Sequence, residues 1–177
     1  MIDIPQTIPS DPLIRVAGSF AIISGIISTI GVVFLIAMFA LLATPLKSVG
    51  LMFGRLNDIC IAIQYLLTIP IALALYRILQ PYNPALIRLA TIVGIVMMLV
   101  VIGLQLALVF GVLAFEKQVI WVSLAMIVGV GSWLVITGLV ARSTGRLPNS
   151  VLMSSVAVPY LGYPVWAFWL GRHLLGW

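Results

Sequence analysis

Two long apolar runs joined by a short connector decide the fold: LNDICIAIQYLLTIPIALALYRIL (56–79), QPYNP (80–84) and LIRLATIVGIVMMLVVIGLQLALVFGVLAF (86–115). Each run exceeds the roughly 20 residues that a helix needs to cross the hydrocarbon core of a bilayer. The connector contains two prolines and is too short for anything except a turn. The stretch therefore predicts a transmembrane helical hairpin.

Composition extends this reading to the whole chain of 177 residues, which is 63% hydrophobic and 7% charged. A soluble domain carries roughly 25% charged residues, so this chain cannot cover a water-facing surface and must use lipid as its solvent. The basic residues stand at the ends of apolar runs and form no cluster, which argues against nucleic-acid binding and favours the lipid bilayer as partner. We predict an all-α, polytopic transmembrane helical bundle, with residues 1–177 as a single integral membrane domain.

About five membrane-spanning helices are expected. Asp11 with Pro12, and Asn83 with Pro84, are typical of a helix start, because a capping side chain precedes a proline in the first turn. Residues 45–55 are predicted to lie at the interface as a separate segment. The predicted spans are 12–43, 57–79, 84–115, 119–142 and 150–173.

Five crossings would place the two termini on opposite sides of the membrane. Counting basic residues puts five of them on the side of Arg15 and four on the side of Lys47. Because basic residues accumulate in cytoplasmic loops, this count favours a multi-pass protein of the cell membrane with a cytoplasmic N-terminus.

Small residues at helical spacing indicate where helices pack closely. The first span carries Ala21 and Gly25 at a spacing of four, and the third carries Gly103, Ala107 and Gly111 at the same spacing. Gln105 lies on the opposite face of the third span. Two contact faces predict that this helix lies inside the bundle.

Aromatic residues recur every third position in the last span, at Tyr160, Tyr163, Trp166 and Trp169. Aromatic and basic side chains near the end of a span are typical of interfacial anchors. Trp166, Trp169 and Arg172 are therefore predicted to anchor this helix at the membrane surface.

Polar groups at membrane depth are the candidates for a site, since they need partners in hydrocarbon. One interpretation is structural: Gln64 and Gln105 form an interhelical hydrogen bond, while Asp58 pairs with Arg55 or caps the second span. The other interpretation is a small amphipathic pocket. It would be lined by Asp58, Gln64, Gln105, Tyr160 and Tyr163.

Catalytic chemistry finds little support in the sequence. The chain has one histidine, His173, and one cysteine, Cys60, so it cannot assemble a metal or bis-histidine haem site by itself. A Ser/His/Asp triad would need His173, which is predicted to sit at a membrane edge. We predict no catalytic residues, no metal and no cofactor.

Two segments carry a resemblance to a known family: IALALYRIL (71–79) with the restart at 83–89, and YPVWAFWLGR (163–172). Together they resemble uncharacterised prokaryotic multi-spanning membrane proteins of the DUF4386 type. The resemblance implies an integral membrane bundle in a bacterial-type membrane and carries no reaction. Members of that family are usually longer, so this chain would be a shortened or divergent member.

The leading functional hypothesis is a non-catalytic membrane bundle, either an accessory or scaffold subunit with a protein partner or second copy, or a binder of a lipophilic small molecule. A small transporter or channel that uses the side of Asp58, Gln64 and Gln105 is the first alternative, because prolines interrupt the second and fifth spans. A membrane-embedded lipid-modifying enzyme is the least favoured alternative.

Overall fold

The computed structural model describes residues 11–144 and 159–176, with side chains in the last stretch from residue 162 onward. All regular structure in these ranges is helical. Four helices are long and apolar enough to cross a membrane. The predicted all-α transmembrane bundle is therefore confirmed.

The helices alternate with short turns along the chain. The fourth span is continuous from Phe115 to Thr144 but contains a π-helical segment, in which the backbone hydrogen bonds are one residue longer. The described helices are α1 (Pro12–Leu42), α2 (Lys47–Leu79), α3 (Pro84–Val109), α4 (Phe115–Leu124), the π segment (Ala125–Gly131), α5 (Ser132–Thr144) and α6 (Pro159–Leu175).

The two predicted helix starts are confirmed. The Asp11 carboxylate accepts a hydrogen bond from the Leu13 amide at 2.9 Å, and the Asn83 side chain accepts one from the Leu86 amide at 3.3 Å. In both cases proline occupies the first turn, where its missing N–H costs no helical hydrogen bond.

Three predicted boundaries differ from the structure, and the predicted start of the last span at 150 lies outside the described residues. The fourth span begins at Phe115, four residues before its predicted start at 119. The segment 45–55 is not separate, because α2 begins at Lys47 and runs through it as one helix. Gly50 and Gly54 of this first part lie against Met38 of α1, so packing holds it in the bundle. Likewise α3 ends at Val109, since Gly111 adopts a left-handed φ of 72° and turns the chain toward α4.

The centre of the bundle is α2, with α1 and α3 packed on it. Half of the residues in the most apolar part of α2 are buried, against 22% in α3, so α2 is the more central helix. The third span nevertheless contacts helices on two sides, as the sequence predicts. The other face of α3 contacts the π segment, α4 and α5, while α6 packs on α1.

The last helix runs antiparallel to α1. Near its start, the Pro164 carbonyl lies beside Gly25, and at its end Leu174 and Leu175 lie beside Gly18. The end of α6 is therefore at the same end of the bundle as the start of α1. This arrangement corrects the expectation, based on five simple crossings, that the last span would end on the opposite side.

Candidate functional site

Three buried hydroxyl groups from three helices meet inside the bundle. The Tyr163 hydroxyl of α6 lies 2.5 Å from the Thr68 hydroxyl of α2 and 3.1 Å from the Ser24 hydroxyl of α1. Ser24 and Thr68 are fully buried, and Tyr163 is 7% exposed. We call these three residues the hydroxyl centre.

The three residues meet because their helices bring them to one level. From the rise of an α-helix, Ser24 lies about 18 Å from the start of α1 and Thr68 about 16 Å from the end of α2. These two helix ends face the same side, so both hydroxyls lie about half-way across a hydrocarbon core of roughly 30 Å. Water is scarce at that depth, and polar groups there must satisfy one another.

The protons of the hydroxyl centre can be assigned. Thr68 donates to the Gln64 carbonyl at 2.7 Å, and Ser24 donates to the Ala21 carbonyl at 2.9 Å. Each hydroxyl has one proton. Tyr163 donates its proton to Ser24, so Thr68 shares its own proton between the Gln64 carbonyl and the Tyr163 oxygen. The centre is self-sufficient and has no proton left for another acceptor.

An aromatic wall adjoins the hydroxyl centre. The Trp166 ring lies 5.5 Å from the Tyr163 ring, centroid to centroid, and 6.3 Å from the Trp133 ring, edge to face. Both tryptophans are buried, with 4% and 1% of their surface exposed. The wall thus joins α5 to α6 at the depth of the hydroxyl centre.

The indole N–H of Trp133 is buried without a hydrogen-bond partner among the residues described. Native structures pair the large majority of buried polar atoms, so such an atom needs an explanation. An indole nitrogen can only donate. Within the described ranges, the bundle therefore holds one unused side-chain donor, beside an aromatic wall and at mid-membrane depth.

Two glycines bring α3 and the fourth span into close contact beside Trp133. A Cβ at Gly94 of α3 would lie 2.6 Å from Cγ of Trp133, and a Cβ at Gly129 of the π segment would lie 2.0 Å from Cγ of Met97. Each helix thus offers a glycine to a large side chain of the other. This reciprocal contact presses the indole against the α3 backbone.

The residues predicted to line one pocket are only partly brought together. Tyr163 enters the hydroxyl centre, and Gln64 contributes a main-chain carbonyl to it. Asp58 is half-buried and lies ten residues before Thr68 on α2. It forms no ion pair with any described residue. The side chain of Tyr160 lies outside the described residues.

The predicted bond between Gln64 and Gln105 does not form. Instead, the amide of Gln118 donates to Gln105 at 2.5 Å, and both side chains are buried. The turn at Gly111 folds α4 back on the end of α3, so the nearest amide belongs to that neighbour. Asp58 also cannot cap α2, because this helix begins at Lys47.

Two of the five predicted packing residues lie at a helix contact. Ala21 is fully buried, and Gly25 lies against Phe168 of α6. Gly103 has no neighbour within 4 Å among the described atoms, and Gly111 lies exposed in the turn after α3. Ala107 is half-buried, so the predicted ridge on α3 does not form a packing face with the part of the chain that the structure describes.

One predicted anchor is wrong and two remain predictions. Trp166 is buried in the aromatic wall and does not lie at an interface, because the antiparallel course of α6 carries it into the centre. Trp169 is 46% exposed, and Arg172 is exposed near the end of α6.

Sequence reasoning missed Trp133 as a site residue, and no local pattern marks it. Ser24 and Thr68 are polar residues within apolar runs, yet nothing in their spacing links them to Tyr163, which lies 139 and 95 positions away in the chain. Comparison with protein families, with curated proteins and with solved structures finds no match to this chain.

Proposed function

We propose that this protein is a non-catalytic membrane bundle that binds a lipophilic molecule bearing a carbonyl-type oxygen beside Trp133. The observation that carries the proposal is the buried, unpartnered indole N–H. The surrounding rings supply an apolar, aromatic contact surface, as small-molecule sites usually do. A ketone, quinone or ester oxygen would satisfy the donor and leave the rest of the ligand among apolar side chains.

The chemistry of the neighbouring groups supports a ligand that accepts a hydrogen bond. The hydroxyl centre uses its own protons, so Trp133 is the donor that remains. An internal hydrogen bond contributes about 0.5–1.5 kcal/mol net, and a buried donor left unpaired costs about 1–3 kcal/mol. A bound acceptor would therefore stabilise the bundle as well as orient the ligand.

The test replaces the indole N–H of Trp133 and keeps the bicyclic aromatic ring. Benzothienyl-alanine, in which sulfur stands in place of the indole N–H, is introduced at position 133 by codon suppression, with the same replacement at Trp121 as matched control. Trp121 lies on the same span and is 55% exposed. The protein is purified in native nanodiscs, and bound small molecules are extracted and identified by mass spectrometry.

We expect a defined lipophilic molecule on the wild-type protein and on the Trp121 replacement, and about tenfold less of it on the Trp133 replacement. Equal retention by all three proteins would contradict the role of the N–H. Extra mass from a protein and none from a small molecule would contradict ligand binding and support the accessory-subunit reading instead.

Asp58 favours a second candidate, a small transporter. It is a half-buried carboxylate on a membrane-spanning helix, and no further charged residue follows it on α2 before Arg77. Ionisable groups on membrane-spanning helices often mark transport paths, and Asp58 would stand at the entrance of such a path, toward the end that carries Lys47. Proton or ion flux into vesicles should then fall in Asp58→Asn, and unchanged flux would remove the carboxylate from any mechanism.

A further inference from the structure

The direction of α6 changes which charges share an end of the bundle. Arg172 lies near the end of α6, beside the start of α1, and so joins the basic residues of that end. Arg146 lies outside the described residues. The arginine end, as we name it, carries Arg15, Arg77, Arg88, Arg142 and Arg172, and the opposite end carries Lys47, Arg55 and Lys117.

The acidic residues increase the difference in net charge between the two ends of the bundle. At the arginine end, Asp11 forms an ion pair with Arg77 at 2.5 Å. At the opposite end, Asp58 and Glu116 stand against three basic residues. Within the described ranges, five arginines with one aspartate leave a net charge of +4 at one end, while three basic residues with two acids leave +1 at the other.

The arginines of the arginine end are accessible. All five are exposed, and four of them have no carboxylate within 4 Å among the described residues. Each is placed at a helix end, where its apolar stem can lie along the bundle and its guanidinium can reach the headgroup region. A guanidinium binds phosphate with two parallel hydrogen bonds.

We propose that the arginine end binds anionic phospholipid headgroups of the cytoplasmic leaflet. The start of α1, the α2–α3 connector and the end of α6 then all face the cytoplasm. Two independent effects act in the same direction: basic residues are retained on the cytoplasmic side during insertion, and that leaflet carries the negative surface potential. This surface is separate from the site at Trp133 and does not depend on it.

Lipid binding is tested in nanodiscs that contain phosphatidylcholine with a graded fraction of phosphatidylglycerol. Native mass spectrometry counts the phosphatidylglycerol molecules that stay bound. An arginine near an anionic surface contributes about fivefold in affinity, so Arg88→Gln with Arg142→Gln should weaken phosphatidylglycerol retention about 25-fold. The matched control is Lys47→Gln with Lys117→Gln, for which we expect a change of less than about fivefold.

The proposal that the arginine end binds anionic lipid would be overturned by an equal loss of phosphatidylglycerol retention in the two double variants. It would also be overturned if the wild type did not prefer phosphatidylglycerol to phosphatidylcholine. Circular dichroism and the thermal midpoint of each variant show whether it is folded. A variant that does not fold is replaced by Arg15→Gln with Arg172→Gln, which removes the same amount of charge from the same end.

Orientation is tested in a Cys60→Ala background with single cysteines at Tyr82 and at Ala114, which are exposed turn positions at the two ends. Intact cells are treated with a membrane-impermeant maleimide and compared with permeabilised cells. We expect Ala114→Cys to be labelled in intact cells and Tyr82→Cys only after permeabilisation. Labelling of Tyr82→Cys in intact cells, or protection of Ala114→Cys until permeabilisation, would overturn the orientation.

Discussion

Gly94 and Gly103 lie on the same helix, yet their surroundings differ completely. A Cβ on Gly94 would meet the Trp133 ring at 2.6 Å, whereas a Cβ on Gly103 would meet no described atom within 4 Å. The spacing of small residues pointed to Gly103 and Ala107, which are exposed and half-buried, and overlooked Gly94. A glycine marks a close contact only where the neighbouring helix presents a large side chain to it.

The largest expected effect separates these two glycines. Gly94→Ala should lower the free energy of unfolding by about 1–3 kcal/mol, since its methyl group would overlap Cγ and Cβ of Trp133, which cannot move without shifting α5. Gly103→Ala should leave stability unchanged or raise it by up to about 1 kcal/mol, because alanine favours the helix. Unfolding by SDS titration in mixed micelles measures both.

Equal destabilisation by the two alanine variants would show that Gly103 has an unrecognised contact, such as a second copy of the chain. Equal tolerance would show that Trp133 is not held against α3. Either result would break the contrast between the two parts of this helix.

The next effect concerns the hydroxyl centre. Tyr163→Phe should lower the free energy of unfolding by about 0.6–2 kcal/mol, the range of an interhelical hydrogen bond in a membrane protein. The loss stays moderate because Ser24 and Thr68 keep their bonds to main-chain carbonyls. Tyr76→Phe on α2, whose ring is half-buried, is the control and should change stability little. A Tyr163→Phe protein as stable as wild type would contradict the shared hydrogen bond.

The hydrogen-bonded pair Gln105 and Gln118, near the end opposite the arginine end, provides a test with a smaller expected effect. A double-mutant cycle of Gln105→Leu and Gln118→Leu should give a coupling energy of about 0.6–1.7 kcal/mol. Each single variant leaves one buried amide unpaired, whereas the double variant buries two apolar side chains and should be nearly as stable as wild type. A coupling energy near zero would mean that the two amides do not bond in the membrane.

The smallest effect is at the exposed start of α1. The amide of Leu13, followed by the Arg77 side chain, holds the pKa of Asp11 below its usual range. Because the folded-state pKa is lower than the unfolded one, the stabilisation is present at neutral pH and is lost as the pH falls through that lowered pKa, below about 4.

Asp11→Asn keeps the cap to Leu13 and loses the ion pair with Arg77. It should therefore lower the thermal midpoint slightly at pH 7, with a difference from wild type that shrinks as the pH falls below about 4. The side chains are exposed, so salt should also reduce the difference. A difference in thermal midpoint that changes with neither pH nor salt would assign the effect to something other than the ion pair.

Local chemistry was readable from the sequence wherever neighbouring residues decide it. Asp11 with Pro12 and Asn83 with Pro84 predicted two helix starts, because capping involves the next three residues. The connector 80–84 predicted a turn for the same reason. The helical spacing of Gly111 to Gly103 predicts a packing ridge. In the structure, the left-handed φ of 72° at Gly111 ends α3.

The candidate site was not readable in the same way. Tyr163 was named, but its partners Ser24 and Thr68 belong to helices far away in the chain, and their meeting depends on α6 running antiparallel to α1. The predicted position of Trp166 is wrong for the same reason. Its position in the last span suggested an anchor, whereas the direction of that span places it in the bundle interior.

The sequence by itself determined that this protein lives in lipid and builds helices, because apolar composition and run length decide the solvent and backbone hydrogen bonding decides the secondary structure. It also determined where α1 and α3 begin. Only the tertiary structure decided which faces pack, which amide Gln105 meets, and which end Arg172 joins. These depend on the direction and rotation of neighbouring helices, and lipid-facing and protein-facing surfaces are equally apolar in a membrane, so composition cannot distinguish them.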